Sequence, residues 1–147
     1  ADGSLTLRIL EALGRRPAFF KVLDFHVFSR PDPGPLNAQA YVKVSVDERV
    51  EITADEGDGP VNALDLALRK ALSRFYPVLE NMRLTDFKVR VVSASGTASA
   101  VRVRIDSTDG KNVFSTVGVS TNILEASFIA LTDSIDCLLM HHAQIEA

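Results

Sequence analysis

Val50-Glu51-Ile52-Thr53-Ala54 alternates apolar and polar residues, and its place in the chain is taken a second time by Val113-Phe114-Ser115-Thr116. Laying Val50 over Val113 carries Thr53 onto Thr116, Ala63 onto Ala126, Ala67 onto Ala130 and Leu68 onto Leu131. Between these identities Val61 falls on Leu124, Leu72 on Ile135, and Gly59-Pro60 on Asn122-Ile123. Upstream, Asp24-Phe25-His26-Val27 matches Asp86-Phe87-Lys88-Val89 after a small shift for loop length. Residues 19–75 and 84–139 thus each read as three strands followed by one amphipathic helix. An α+β fold follows: two pseudo-symmetric βββα units and a short N-terminal helix, with helices covering one face of antiparallel sheet. The duplication predicts one sheet with pseudo-twofold symmetry and matching loops on one surface.

The strands announce themselves by period two. Tyr41-Val42-Lys43-Val44-Ser45-Val46-Asp47 alternates strictly, and Asp47-Glu48 makes a tight reversal into the stretch quoted above. Phe19 to Ser29 precedes it and ends at Pro31-Asp32-Pro33-Gly34-Pro35, a stiff turn. In the second unit the strands are Phe87 to Val91, Val101 to Ile105 and Val113 to Val119, and Thr108-Asp109-Gly110-Lys111 carries a hairpin signal. Alternation gives each strand one dry and one wetter face.

Both helices have legible starts. Pro60 suits the first helical position, and Val61, Leu64, Leu68, Leu72 and Phe75 form one stripe, with Asp65 and Arg69 four apart on the opposite side. Asn122 with Glu125 is a capping box for the second helix. That helix is apolar over Ile123, Ala126, Ile129, Ala130, Leu131, Ile135, Leu138 and Leu139, wider than one sheet face requires, which predicts a subunit interface on its far side. At the N-terminus, Leu5, Ile9, Ala12 and Leu13 suit a short helix stopped by Gly14. Residues 1–17 either pack on the sheet or form a linker from a missing upstream domain, and 18–147 are one domain of two repeats.

Composition narrows the function. A chain of 147 residues, 46% of them apolar, buries one ordinary core. No apolar run reaches a membrane span and no signal peptide is seen, while Ala1-Asp2-Gly3-Ser4 reads as the start of an excised fragment. A single cysteine, Cys137, forms no internal disulfide, so a cytoplasmic origin is expected. A net charge of −3 argues against nucleic acid as the main partner. His26, His141 and His142 lack metal-ligand spacing, Gly57-Asp58-Gly59 lacks the third glycine of a dinucleotide loop, and Asp55-Glu56-Gly57-Asp58 fails as a calcium loop.

Two loops keep a functional reading beside a structural one. Glu56 to Asn62 and Val117 to Ile123 each lead a strand into a helix, whose unpaired N–H groups can hold a carboxylate or can belong to a well-capped turn. Lys88, Arg90, Arg102 and Arg104 line up on neighbouring strands, as a solvated face, a contact for an acidic sister domain, or a nucleic-acid platform. A double-stranded-RNA-binding module would need lysines where Asn122-Ile123-Leu124-Glu125 stands.

Gly57 to Leu64, Leu84 to Val91 and Thr116 to Ser127, the last followed by Ala130-Leu131-Thr132-Asp133-Ser134, together resemble the C-terminal regulatory domain of the isopropylmalate synthase and citramalate synthase family. The likeness covers essentially the whole chain, and Leu5 to Gly14 with Pro17-Ala18-Phe19-Phe20 is more similar to the citramalate branch. It implies a homodimer that binds a branched-chain amino acid between protomers, isoleucine in the citramalate branch and leucine in the other. It also implies an N-terminal barrel of the same polypeptide that uses a divalent metal and acetyl-CoA; this fragment itself would be non-catalytic and without a cofactor. The effector residues it implies are Val61, Asn62, Leu84, Phe87, Val91, Ala98, Ala100 and Ile123, with Asp58 or Asp86 for the ligand ammonium. Phe87 stands where the family often has tyrosine. A purely structural dimerisation module without effector binding is the other reading.

Overall fold

A computed structural model describes residues 3–31, 36–92 and 99–146, with 144–146 as backbone only. The elements run α1 (Gly3–Ala12), β1 (Lys21–Ser29), β2 (Ala38–Val46), β3 (Arg49–Gly57), α2 (Pro60–Leu72), β4 (Arg83–Val92), β5 (Ala100–Thr108), β6 (Val113–Ser120) and α3 (Ile123–Glu146). The two βββα repeats are present. Instead of one sheet they form two three-stranded antiparallel sheets, β1-β2-β3 and β4-β5-β6. The chain divides accordingly into two compact units, Ala18–Glu80 and Ala1–Pro17 with Asn81–Ala147. Hairpin closure is local and pairs each strand with its sequence neighbour, whereas nothing in the periodicity selects a pairing between repeats.

In the unit Ala18–Glu80, every second residue of β2, from Ala38 to Val46, is buried, and these face α2. The Asp47-Glu48 reversal is a two-residue turn with both residues left-handed, at φ 48° and 69°. Such a turn matches the twist of the strands it joins, although neither residue is glycine. α2 starts at Pro60 as expected and ends before Phe75, which is half-buried in the turn that follows. Its buried arc is wider than a single stripe and includes Asp65, expected on the solvent side but only 2% exposed. Alanines at 63, 67 and 71 bring the helix close and widen the sealed arc. Asp65 is held by Arg69 through two hydrogen bonds of 3.1 and 2.7 Å, and burial raises its pKa against that pairing.

In the other unit, Val103, Ile105 and Ser107 of β5 and Thr116 and Gly118 of β6 face α3. Gly118 permits a close approach: a Cβ there would lie 1.9 Å from the Ala126 carbonyl oxygen. The hairpin at Asp109 is closed by its carboxylate, which accepts the amides of Lys111 and Asn112 at 2.9 and 2.7 Å. Those bonds, that from Asn112 foremost, lower its pKa.

α1 lies against α3 and β6, and its buried face differs from the expected one. Leu5, Ile9 and Leu13 are exposed, while Ser4 and Leu7 are buried. The Ser4 hydroxyl donates to Asp133 at 2.7 Å and accepts the Val117 amide at 2.9 Å, so a polar residue leads the buried face. α3 is likewise buried within the single chain at Ala126, Ala130, Leu131, Ile135, Leu138 and Leu139. Its wide apolar surface is therefore already used and does not by itself call for a second subunit.

Candidate effector site

Strand β4 carries three of the expected effector residues, and a bulge decides which way they point. Its pairing with β5 slips between Leu84 and Asp86, so that Leu84 opposes Ser107 while Phe87 opposes Ile105. Both partners face α3, which puts Leu84, Phe87, Val89 and Val91 on that same face. The extra residue is what reconciles an even position with odd ones. β1 has the same slip between Val22 and Asp24 at the matching place in the other repeat.

The apolar face is covered at β5 and uncovered at β4. Val103 and Ile105 are fully buried, whereas Phe87 is 38% exposed, Val89 43% and Val91 67%. An edge strand that keeps a row of apolar side chains in the open, on the side where its neighbour is sealed, is an unfinished surface. Leu84 and Val91 stand at opposite ends of it, roughly 20 Å apart along an extended strand. One amino acid cannot touch both from a single copy of β4. Phe87 lies between them.

The remaining candidates of this unit are placed differently. Ile123, 47% exposed, opens α3 at the end of the sheet where Val91, Val101 and Ser120 are in register. Ala100 pairs with Val92 and so stands on the opposite face, with Arg90 and Arg102. Ala98 lies outside the described residues. Asp86 is also on the opposite face; it accepts the Phe87 amide at 2.9 Å and pairs with Lys88 at 3.6 Å. Its carboxylate is thus engaged on the face opposite the Phe87 ring.

The two helix starts are not equivalent. At α3 the Asn122 side chain accepts the amides of Leu124 and Glu125, at 2.8 and 3.4 Å, and so fills that N-terminus itself. The reciprocal half of the expected capping box is replaced by Ser120, whose hydroxyl accepts the Asn122 amide at 3.1 Å. At α2 the cap is Gly59, with no side-chain hydrogen bond, and Pro60 has no N–H to offer. Asn62 donates its side-chain amide to Asp58 at 2.7 Å. The open helix start with a carboxylate beside it is therefore that of Val61 and Asn62.

The model of the LeuA allosteric (dimerisation) domain matches residues 1–139. The chain belongs to that family. Among relatives, it is 47% identical over 150 residues to the (R)-citramalate synthase of Geobacter sulfurreducens, covering 99% of this chain and 28% of that protein. The (R)-citramalate synthase of Aquifex aeolicus is 47% identical over 143 residues, with 95% and 27% covered. The 2-isopropylmalate synthase of Clostridium kluyveri is 31% identical over 123 residues, with 83% and 22% covered. This LeuA domain thus spans about a quarter of the length of the curated proteins it matches. No helix among its described residues is long and apolar enough to cross a membrane, and no group of three or more His, Cys, Asp or Glu there is arranged to hold a metal ion.

One polar cluster of this LeuA domain escaped sequence reasoning. Arg16 reaches α3 and pairs with Asp133 at 3.1 Å and Asp136 at 2.8 Å, beside the Ser4 bond already described. Burial pushes the Asp136 carboxyl up to about 6, against the opposing pull of Arg16. The trace in the sequence is a pair of aspartates three apart in the middle of a helix with a wide apolar surface. Cys137, next to them, is buried.

Proposed function

We propose that this domain is the feedback-sensing module of a citramalate synthase-like acyltransferase, binding isoleucine where two copies of the domain meet. The reading rests on one observation above all: the uncovered apolar row of β4 centred on Phe87. Branched aliphatic ligand and partner chain together are the kind of surface that would finish it. Within its own unit, the open start of α2 at Val61 and Asn62, beside Asp58, offers donors for a carboxylate and an acceptor for an ammonium group, the roles that the family resemblance implies for these residues. Leu84 and Val91, too far apart to share one ligand within a copy, are consistent with two sites or with contributions from two copies. Val91 and Ile123 lie at one end of the sheet, which favours that end for the ligand side chain.

The domain contributes no catalytic group in this reading. Condensation of acetyl-CoA with a 2-oxo acid at a divalent metal belongs to an N-terminal barrel of the same polypeptide, in the cytoplasm. The 31% identity to a 2-isopropylmalate synthase supports a second reading, in which leucine is the effector. Calorimetric titration of isoleucine, leucine and valine into the same protein, with its mass followed by light scattering, separates the readings. Saturable binding of isoleucine to a dimer is expected. Leucine binding tenfold tighter would move the chain to the isopropylmalate branch. A dimer that binds none of the three would leave only the dimerisation role.

A further inference from the structure

The face of β4-β5-β6 that points away from α3 gathers four cations in two adjoining cross-strand pairs. Lys88 is directly opposite Arg104, and Arg90 directly opposite Arg102, in successive rows of the same face. Like charges placed directly across strands destabilise a sheet, and here two such pairs are stacked, the rows about 7 Å apart. The four side chains line a depression of about 240 Å³. Among the described residues, acidic counter-charge reaches it at one end, where Lys88 meets Asp86 at 3.6 Å and Arg104 meets Asp106 at 3.3 Å. Arg90 and Arg102 have no ion pair among the described residues. Arg102 also lines a second, adjoining hollow with Arg8 of α1, so a further cation stands beside the pair.

A chain with net charge −3 has acids enough to interleave such a face, yet the two central guanidinium groups are left facing each other. We propose that this face is a binding site for a compact polyanion with two adjacent phosphoryl groups, the diphosphate moiety of a small molecule. Each guanidinium presents a planar fork that can take phosphate oxygens in pairs, and Lys88 and Arg104 close the depression on one side. The size of the hollow suits a group of a few heavy atoms. A long nucleic acid is disfavoured because it would run beyond the patch over a surface of excess negative charge.

The test uses the 147-residue chain, inorganic pyrophosphate and ADP as separate probes, and calorimetry at constant ionic strength. Saturable binding of pyrophosphate is expected, lost by tenfold or more in Arg90→Gln/Arg102→Gln. Arg49→Gln/Lys111→Gln, which removes the same charge elsewhere, should leave it unchanged. Without ligand the first variant should melt at or above the parent temperature, since it relieves repulsion, which separates lost binding from lost fold. Tighter binding of ADP than of pyrophosphate would identify a nucleotide, and equal binding a free diphosphate; either supports the site. Absence of saturable binding, or an equal loss in both double variants, would overturn it. So would binding of an acidic peptide in place of either probe, which would assign the face to a protein partner.

Discussion

Thr53 and Thr116 occupy equivalent places in the two repeats and make the same bond. Each buried hydroxyl reaches from the last strand of its sheet to a carbonyl of the following helix, Ala67 at 2.8 Å and Ala130 at 2.7 Å. The helix is thereby pinned at one height above its sheet in both units. Replacing either threonine by valine keeps the shape and removes the donor, at a cost of about 1 kcal/mol. Urea denaturation of Thr53→Val and Thr116→Val should show losses of similar size; a loss confined to one of them would mean the repeats are not energetically equivalent there.

Glu48 holds a left-handed backbone with φ of 69°, a conformation that disfavours a side chain with a Cβ. Glu48→Gly should stabilise the protein by about 0.5–1 kcal/mol, because the strain relieved exceeds the entropy glycine adds to the unfolded chain. A thermal melt shifted downward would show that the Glu48 side chain has another use.

Gly118→Ala should be far worse tolerated than Gly59→Ala. The first places a methyl group into the Ala126 carbonyl, and the second meets nothing within 4 Å. Overpacking of this kind costs about 1–3 kcal/mol or more. The difference between the two midpoints of denaturation is the readout, and similar midpoints would mean that α3 can move off β6 freely.

Asp136 makes stability depend on pH in an unusual direction for a carboxylate. Its folded pKa is raised from 3.8 to about 6 by burial, so between these values the folded protein keeps a proton that the unfolded chain has lost. The contribution is fully present below pH 3.8 and is lost as pH rises through 6, on the order of 2–3 kcal/mol in all. Asp136→Asn should abolish that component. The difference in unfolding free energy between parent and variant should change between pH 4 and 6 and stay level above 7.

Phe87→Ala should weaken isoleucine binding about tenfold, equivalent to roughly 1.4 kcal/mol, with little effect on folding because the ring is already 38% exposed. Calorimetry and a thermal melt on the same sample check both halves. Undiminished affinity would place the pocket away from β4.

Much of this architecture is written locally. Strict alternation in Tyr41 to Asp47, proline at the start of α2 and the Asp109-Gly110 turn each act over a few residues, and each structure forms as read. What is decided at long range was not legible. Separation into two sheets depends on which edges meet, and no residue signals that. The buried face of α1 is set by Asp133 and Val117, more than a hundred positions away, so the apolar residues Leu5 and Ile9 gave the wrong side. Asp65 looked like a surface partner for Arg69 because i to i+4 spacing says nothing about what covers the pair. The bulges before Asp24 and Asp86 leave no mark in composition, and yet they decide that Leu84 shares a face with Phe87. Of the candidate site, the apolar row was readable; that Ala100 and Asp86 turn to the other side was not.

The two hydrogen bonds of the Ser4 hydroxyl, accepted from the Val117 amide and donated to Asp133, set where this polypeptide can be cut. A shortened chain that begins after Pro17 would bare the outer amide of β6 to any strand looking for a partner. It would also strand Asp133 and Asp136 inside the protein without Arg16. Such a protein should aggregate as it folds, and adding back residues 1–17 as a separate peptide should rescue its solubility. A protein engineer grafting this domain onto another enzyme should carry the junction upstream of Gly3, because the first helix packs on α3 and β6 as part of the domain's wall rather than of a tether.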